Sequence, residues 1–232
     1  DFRTIGLDSM QGPVSANYLI SQKPERVAVV HDKQQYGEGI ATAVRDTLEE
    51  AGVEVAMFEG ITAGAKDFSS LVTKLRQADV DYVYYGGYHP ELGLILRQAQ
   101  QADLDATFMG PEGVGNKDIN TIAGEAAEGL LVTLPPSFDE KDENQELVQA
   151  FEEKGEDPSG PFVLTSYTAV QLIADGIEAA ESTDPFDVAE ALRAGTFQTP
   201  IGTVEYDNKG DMESFEFVVY EWHSDGSKTP VN

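Results

Sequence analysis

Glu112 stands between Pro111 and Gly113 in the run Gly110-Pro-Glu-Gly-Val-Gly115. Glycine lets a ligand approach the backbone closely there. A carboxylate so placed could accept a hydrogen bond from a ligand ammonium, a charge-assisted contact that contributes roughly 1.5–3 kcal/mol. The alternative is a local role, with Glu112 capping its own segment near Lys117. Tyr36 and Tyr88 stand in two further polar, glycine-containing runs, His31-Asp-Lys-Gln-Gln-Tyr36-Gly37 and Gly86-Gly-Tyr88-His89-Pro-Glu91. Their rings would form an aromatic wall for an aliphatic side chain, or simply pack at the end of a sheet.

Other chemistries are weaker. His31 and His89, with Asp32, Glu91 and Glu112, are residue types that hold zinc or iron. Yet there is no His-Glu-x-x-His pair, and the third histidine, His223, lies in the tail. No Gly-x-Ser-x-Gly elbow is present for nucleophilic catalysis. Gly113-Val-Gly115 matches neither a dinucleotide fingerprint nor a Walker loop. The chain has no cysteine, which removes disulfides and thiolate chemistry. No metal, cofactor or catalytic residue is therefore expected. An enzyme on a flavodoxin-like sheet, with Glu112 and His89 as acid and base, is the reading these features support least.

Three of these runs follow apolar segments, and that places them. Arg26–His31 and Val80–Tyr85 read as buried parallel strands, as do Val53–Phe58, Ala106–Met109 and Gly129–Leu134. Between them, Ile40, Val44, Leu48 and Ala51 recur at helical spacing before Gly52. Phe68, Leu71, Val72 and Leu75 stripe a second helix. Pro90 opens a third, with Leu92, Ile95, Leu96 and Ala99. The alternation predicts an α/β fold, a doubly wound parallel sheet with helices on both faces. Ligands bind beyond the carboxyl ends of such strands, so the three runs should share one rim.

The pattern changes after Pro135-Pro136. An acidic stretch leads to a helix around Leu147–Phe151, and Pro158-Ser-Gly-Pro161 makes a sharp break. A long helix should follow, with Phe162, Ser166, Tyr167, Val170, Ile173, Ala174 and Ile177 near one face, then a short helix over Val188–Leu192. Gly202–Trp222 alternates as β-structure with a turn at Asn208-Lys-Gly210. This half holds no complete parallel sheet of its own.

Apolar residues are 41% of the 232, enough for a packed core. Forty-two acids face fifteen Lys plus Arg, a formal charge of −27. Such a surface repels phosphate backbones, so nucleic acid is not an expected partner. The acids belong on solvated faces, and an excess of this size suits high salt, where self-repulsion is screened. No apolar run reaches the ~18 residues of a membrane span. No signal peptide is visible, and the opening at Asp1 suggests that an upstream segment is missing.

Several blocks, in order, resemble the branched-chain amino acid (Leu/Ile/Val) periplasmic binding proteins. They are His31-Asp-Lys-Gln-Gln-Tyr-Gly-Glu-Gly39, Phe58-Glu-Gly-Ile-Thr-Ala-Gly64, Asp81-Tyr-Val-Tyr-Tyr-Gly-Gly-Tyr88 and Phe108-Met-Gly-Pro-Glu-Gly-Val-Gly-Asn116, then Ala126-Ala-Glu-Gly129 and Asp157-Pro-Ser-Gly-Pro161. The resemblance implies a type I periplasmic-binding fold of two doubly wound lobes joined by three crossovers, with the ligand in the cleft. On that pattern residues 1–7 end a mostly missing N-terminal lobe, and residues 8–136 form the complete C-terminal lobe. Residues 137–213 are the helical remainder of the N-terminal lobe, with apolar faces left without their sheet. Residues 214–232 return to the C-terminal lobe.

The resemblance puts the ammonium-binding glutamate on Glu112, beside Gly113, with cleft aromatics on Tyr36, Tyr88 and Phe162. The amino acid's carboxylate would be held by the missing lobe, and hinge closure would add the present one. The implied function is an extracytoplasmic, monomeric solute-binding component that presents an aliphatic amino acid to ABC permease subunits in the membrane. A ligand-sensing receptor domain for amides or amino acids on the same fold is the alternative.

Overall fold

A computed structural model describes residues 1–231. Asn232, at the end of the tail, lies outside the described residues. The chain forms two compact units, Asp8–Leu134 with Phe217–Asn232, and Asp1–Leu7 with Pro135–Glu216.

The larger unit opens with α1 (Asp8–Ser21), then runs β1 (Val27–His31), α2 (Gln35–Glu50), β2 (Val55–Gly60), α3 (Ser69–Ala78), β3 (Tyr82–Gly86), α4 (His89–Gln101), β4 (Thr107–Gly110), α5 (Asp118–Ala123) and β5 (Leu130–Leu134). The strands are parallel, with β1 central between β2 and β3. Alternate strand residues face opposite sides. Val27 and Val29 pack with Tyr84, Met109 and Leu131 under Leu19 of α1 and Val44 and Leu48 of α2. Ala28 and Val30 pack with Val83 and Tyr85 under Leu75 of α3 and Leu92 and Ile95 of α4. Ile40, Leu48, Leu75 and Leu92 are fully buried. Each such side chain contributes about 1.5–3 kcal/mol by leaving water. The two-layered core is thus the doubly wound arrangement expected of the sequence.

α1 was not legible as a helix. Gly12-Pro13 reads as punctuation, and the buried face carries Gln11, Gly12 and Ser15 before Ala16 and Leu19. Tertiary packing holds it instead. A Cβ at Gly12 would lie 2.8 Å from Ala43 Cβ, so the small residue lets α1 lie close on α2. Ser15 Oγ meets Thr133 Oγ1 of β5 at 2.7 Å, a buried hydroxyl pair.

The smaller unit holds α6 (Gln145–Glu152), α7 (Val163–Ala180), α8 (Pro185–Ala194) and the hairpin β6 (Phe197–Thr199) and β7 (Gly202–Val204). Leu172, Leu192, Val204 and Tyr206 form its core, with Phe2 packed against them. Asp184 caps α8, its Oδ1 accepting from the Phe186 N–H at 2.9 Å before Pro185 at the first turn. α7 is apolar on both sides. Leu164, Thr165, Thr168, Leu172 and Gly176 are buried, whereas Val170 and Ile173 are 69% and 56% exposed.

The chain then returns to the larger unit as β8 (Val218–Trp222) and β9 (Lys228–Pro230). β8 runs antiparallel to β5, and β9 antiparallel to β8, giving the order β2-β1-β3-β4-β5-β8-β9. The continuous β pattern read over Gly202–Trp222 is interrupted. Tyr206 and Met212 make an isolated bridge around the turn, and residues 213–217 join no ladder. Alternation reports two faces of different polarity, and there it does so without a partner strand. No helix among the described residues is long and apolar enough to cross a membrane.

Candidate functional site

The carboxyl ends of β1, β3 and β4 are neighbours in the sheet, so the loops after them share a rim. After β1 the chain turns sharply. Asp32 Oδ1 accepts from the Gln34 N–H at 2.8 Å, which launches α2 with Tyr36 in its first turn. Gly37 and Gly86 are required here, because a Cβ on Gly37 would lie 2.6 Å from the Gly86 carbonyl oxygen. This backbone contact fixes Tyr36 relative to the end of β3. Tyr88 follows Gly86-Gly87 as the N-cap residue of α4, 48% exposed.

Gly113 lies in a single 3-10 turn after β4 (Glu112–Val114), and it joins the other two loops. Its N–H donates to the Tyr36 hydroxyl at 3.2 Å. A Cβ added there would stand 2.7 Å from the Gly87 carbonyl oxygen, 3.0 Å from Tyr36 Cε1 and 3.2 Å from Tyr88 Cδ1. The two tyrosine rings lie 5.3 Å apart, tilted by 36°, a spacing favourable for aromatic pairs. Four of the five residues picked out in the sequence, Tyr36, Tyr88, Glu112 and Gly113, therefore meet on this rim. The fifth, Phe162, belongs to the smaller unit, where it is the N-cap residue of α7 and 46% exposed.

Sequence reasoning missed the residues behind Glu112. Asp8, Gln11 and Ser15 recur at helical spacing on α1. Gln11 is fully buried, and its Nε2 donates to Glu112 Oε2 at 3.1 Å. Gln11 Oε1 finds no hydrogen-bond partner among the described residues. Burial pushes the Glu112 carboxyl up to about 7, the Asp8 carboxylate adds to the rise, and the Gln11 hydrogen bond opposes both. Burial, then the charge of Glu112, raises the Tyr36 phenol far above its usual range, so it stays protonated. Tyr84 is raised by burial too. The signal that could have found Gln11 and Ser15 is the polar stripe itself, set where a helix facing a sheet should be apolar.

His31 and Glu91, two of the rim residues weighed as metal ligands, are engaged within the fold. His31 stacks on Phe58 at 5.0 Å, and its Nδ1 accepts from the Lys33 N–H at 3.2 Å. Glu91 Oε1 accepts from the Gly64 N–H at 2.8 Å. Among the described residues, the group of three whose donor atoms come within 4.8 Å is Glu128, Glu221 and His223. It lies at the opposite rim, where β5 starts and antiparallel β8 ends. There His223 bridges Glu128 Oε1 at 2.9 Å and Thr229 Oγ1 at 3.1 Å. It ties the tail to the sheet.

The arrangement can therefore hold a cationic group at a partly buried carboxylate, beside an apolar aromatic surface. A family model described as periplasmic binding protein matches residues 2–227. The chain is 59% identical, over 99% of its length, to a leucine-, isoleucine-, valine-, threonine- and alanine-binding protein of Pseudomonas aeruginosa. It is 52% identical over 98% of its length to a Leu/Ile/Val-binding protein of Escherichia coli. In each case it spans 62% of the relative's length. Among solved structures, a leucine-binding protein from Thermotoga maritima superimposes with a TM-score of 0.88 at 27% identity, over 97% of this chain and 65% of that one.

Proposed function

The chain belongs to the periplasmic binding protein family, and we propose that it is part of an extracytoplasmic solute-binding protein that captures a branched-chain or similar aliphatic amino acid for an ABC importer. The observation that carries this reading is the pairing on one rim of Glu112 with Tyr36 and Tyr88. An α-ammonium beside an aliphatic side chain needs an anion next to an apolar wall. The ammonium favours the ionised form of Glu112 and offsets the burial that opposes it. The aliphatic chain gains about 0.8 kcal/mol for each methylene buried. The relatives' names support the ligand class.

The two units, Asp8–Leu134 with Phe217–Asn232 and Asp1–Leu7 with Pro135–Glu216, are proposed as one lobe and part of the other, a few residues from the bounds read in the sequence, with Phe162 in the second. The loops that carry Tyr36, Tyr88 and Glu112 meet at one rim of the sheet, which suits capture without chemistry. Membrane permease subunits are the proposed readers of the liganded, monomeric protein. One methylene changes affinity by only ~1–3 kcal/mol, so several aliphatic amino acids should compete for the site.

Thermal unfolding against the twenty amino acids tests the proposal, on this chain and on a version extended to the length of its relatives. A Tm rise selective for Leu, Ile or Val supports it. No response to any amino acid in either form would remove the ligand class.

A further inference from the structure

Gln11 is the side-chain donor to Glu112 among the described residues, at 3.1 Å, and it is an unusual one. The amide is fully buried, yet only its nitrogen is used. Most buried side-chain amides have both polar atoms paired. A primary amide presents two donors on one side and an acceptor on the other, and rotation about its last torsion exchanges them. Methionine has the same length and neither function.

The carboxyl it faces has two forms with opposite needs. Ionised, Glu112 only accepts. Protonated, it has an O–H to donate. The titratable groups around it are Asp8 on the same helix as Gln11, Tyr36 on α2 and Tyr84 on β3. Asp8 is an anion that discourages the charge on Glu112, and both phenols hold their protons. Gln11 Nε2 is the group that works the other way.

We propose that Gln11 is a positioning residue that serves both forms of Glu112, donating through Nε2 to the carboxylate and, after rotation of the amide, accepting through Oε1 from the carboxylic acid. This rests on the reading of Glu112 as the ammonium acceptor. It makes capture a proton exchange. The acid form of Glu112 takes up R–NH3+, its O–H bond breaks, the electron pair stays on the carboxylate and one proton leaves to water. Gln11 turns its amide as this happens, and so sets the pH above which the site accepts a cation.

The test uses Gln11→Met and Gln11→Leu in the chain with its glutamates labelled at the carboxyl carbon. The Glu112 midpoint is followed by NMR without ligand, and leucine affinity is measured across pH in the version extended to the relatives' length. The variant loses the charge-assisted bond to the carboxylate and the weaker neutral bond to the acid, so the midpoint should rise by their difference, about one pH unit. Leucine affinity of Gln11→Met should then fall about fivefold at pH 7 and return towards the parent value as pH rises past the new midpoint. Gln11→Leu also lacks both polar functions, so its midpoint must move the same way; it carries the test if the methionine variant does not fold. An unmoved midpoint, or an affinity loss equal at every pH, overturns the proposal. A raised midpoint in a protein that no amino acid affects leaves Gln11 in its role and removes the ligand reading instead.

Discussion

Replacing Glu112 by glutamine should stabilise the ligand-free chain, and only where Glu112 would otherwise be charged. Its carboxyl is raised from 4.5 to about 7 by burial and by Asp8. The folded state thus holds this proton more tightly than the unfolded state does. Below about pH 4.5 both states are protonated and the group contributes nothing. Between about pH 4.5 and 7 the unfolded chain ionises first, and stability falls. Above about pH 7 the penalty is complete and constant. At ~1.4 kcal/mol per unit, a rise of this size corresponds to at most about 3.5 kcal/mol. Glutamine resembles the protonated acid and removes that penalty. At about 2–4 °C per kcal/mol for a chain of this length, the Tm gain approaches 10 °C. Thermal unfolding of both proteins by circular dichroism, from about pH 4 to 8.5, is the assay. The difference should be near zero at the acid end and reach a plateau above neutrality. The same variant should lose amino-acid affinity, a trade common at binding sites. A Tm difference independent of pH, or a less stable variant at pH 8, would refute the burial argument.

Three further outcomes follow from particular contacts. Gly113→Ala places a methyl group 2.7 Å from the Gly87 carbonyl oxygen and 3.0 Å from the Tyr36 ring. It should cost about 1–3 kcal/mol in denaturant unfolding and part the two tyrosines, weakening leucine binding at least about tenfold. Tyr36→Phe removes the acceptor of the Gly113 N–H, and calorimetry should show a loss of about 1 kcal/mol in stability. His223 should titrate above the ordinary histidine range because Glu128 accepts its hydrogen bond. Its tie to the tail is complete below that range and is lost as pH rises through the raised value. NMR titration of Glu128→Gln should return His223 to the ordinary range.

The sheet was legible because parallel strands buried on both faces leave apolar runs such as Val27-Ala-Val-Val and Tyr82-Val-Tyr-Tyr. The rim followed from the rule that ligands meet strand carboxyl ends, and it correctly brought the loops of Tyr36, Tyr88 and Glu112 side by side. What lay behind the rim was hidden. Gln11 is 101 residues from Glu112 in sequence, and its helix breaks the usual polarity pattern to bring an amide to that carboxyl. β9 escaped notice because three residues ending in Pro230 carry no periodic signal. Local sequence reports burial well, and polar partnerships across the fold poorly.

The central claim is that Glu112 holds the ammonium of an aliphatic amino acid. Calorimetric titration of the protein, extended to the length of its relatives, with leucine and with 4-methylpentanoate tests it most directly. The second compound is leucine without its amino group. The account predicts that losing the ammonium weakens binding by at least about tenfold, as expected for a charge-assisted contact, and that Glu112→Gln abolishes the difference between the two ligands. Equal affinity for both compounds in the unsubstituted protein would contradict it.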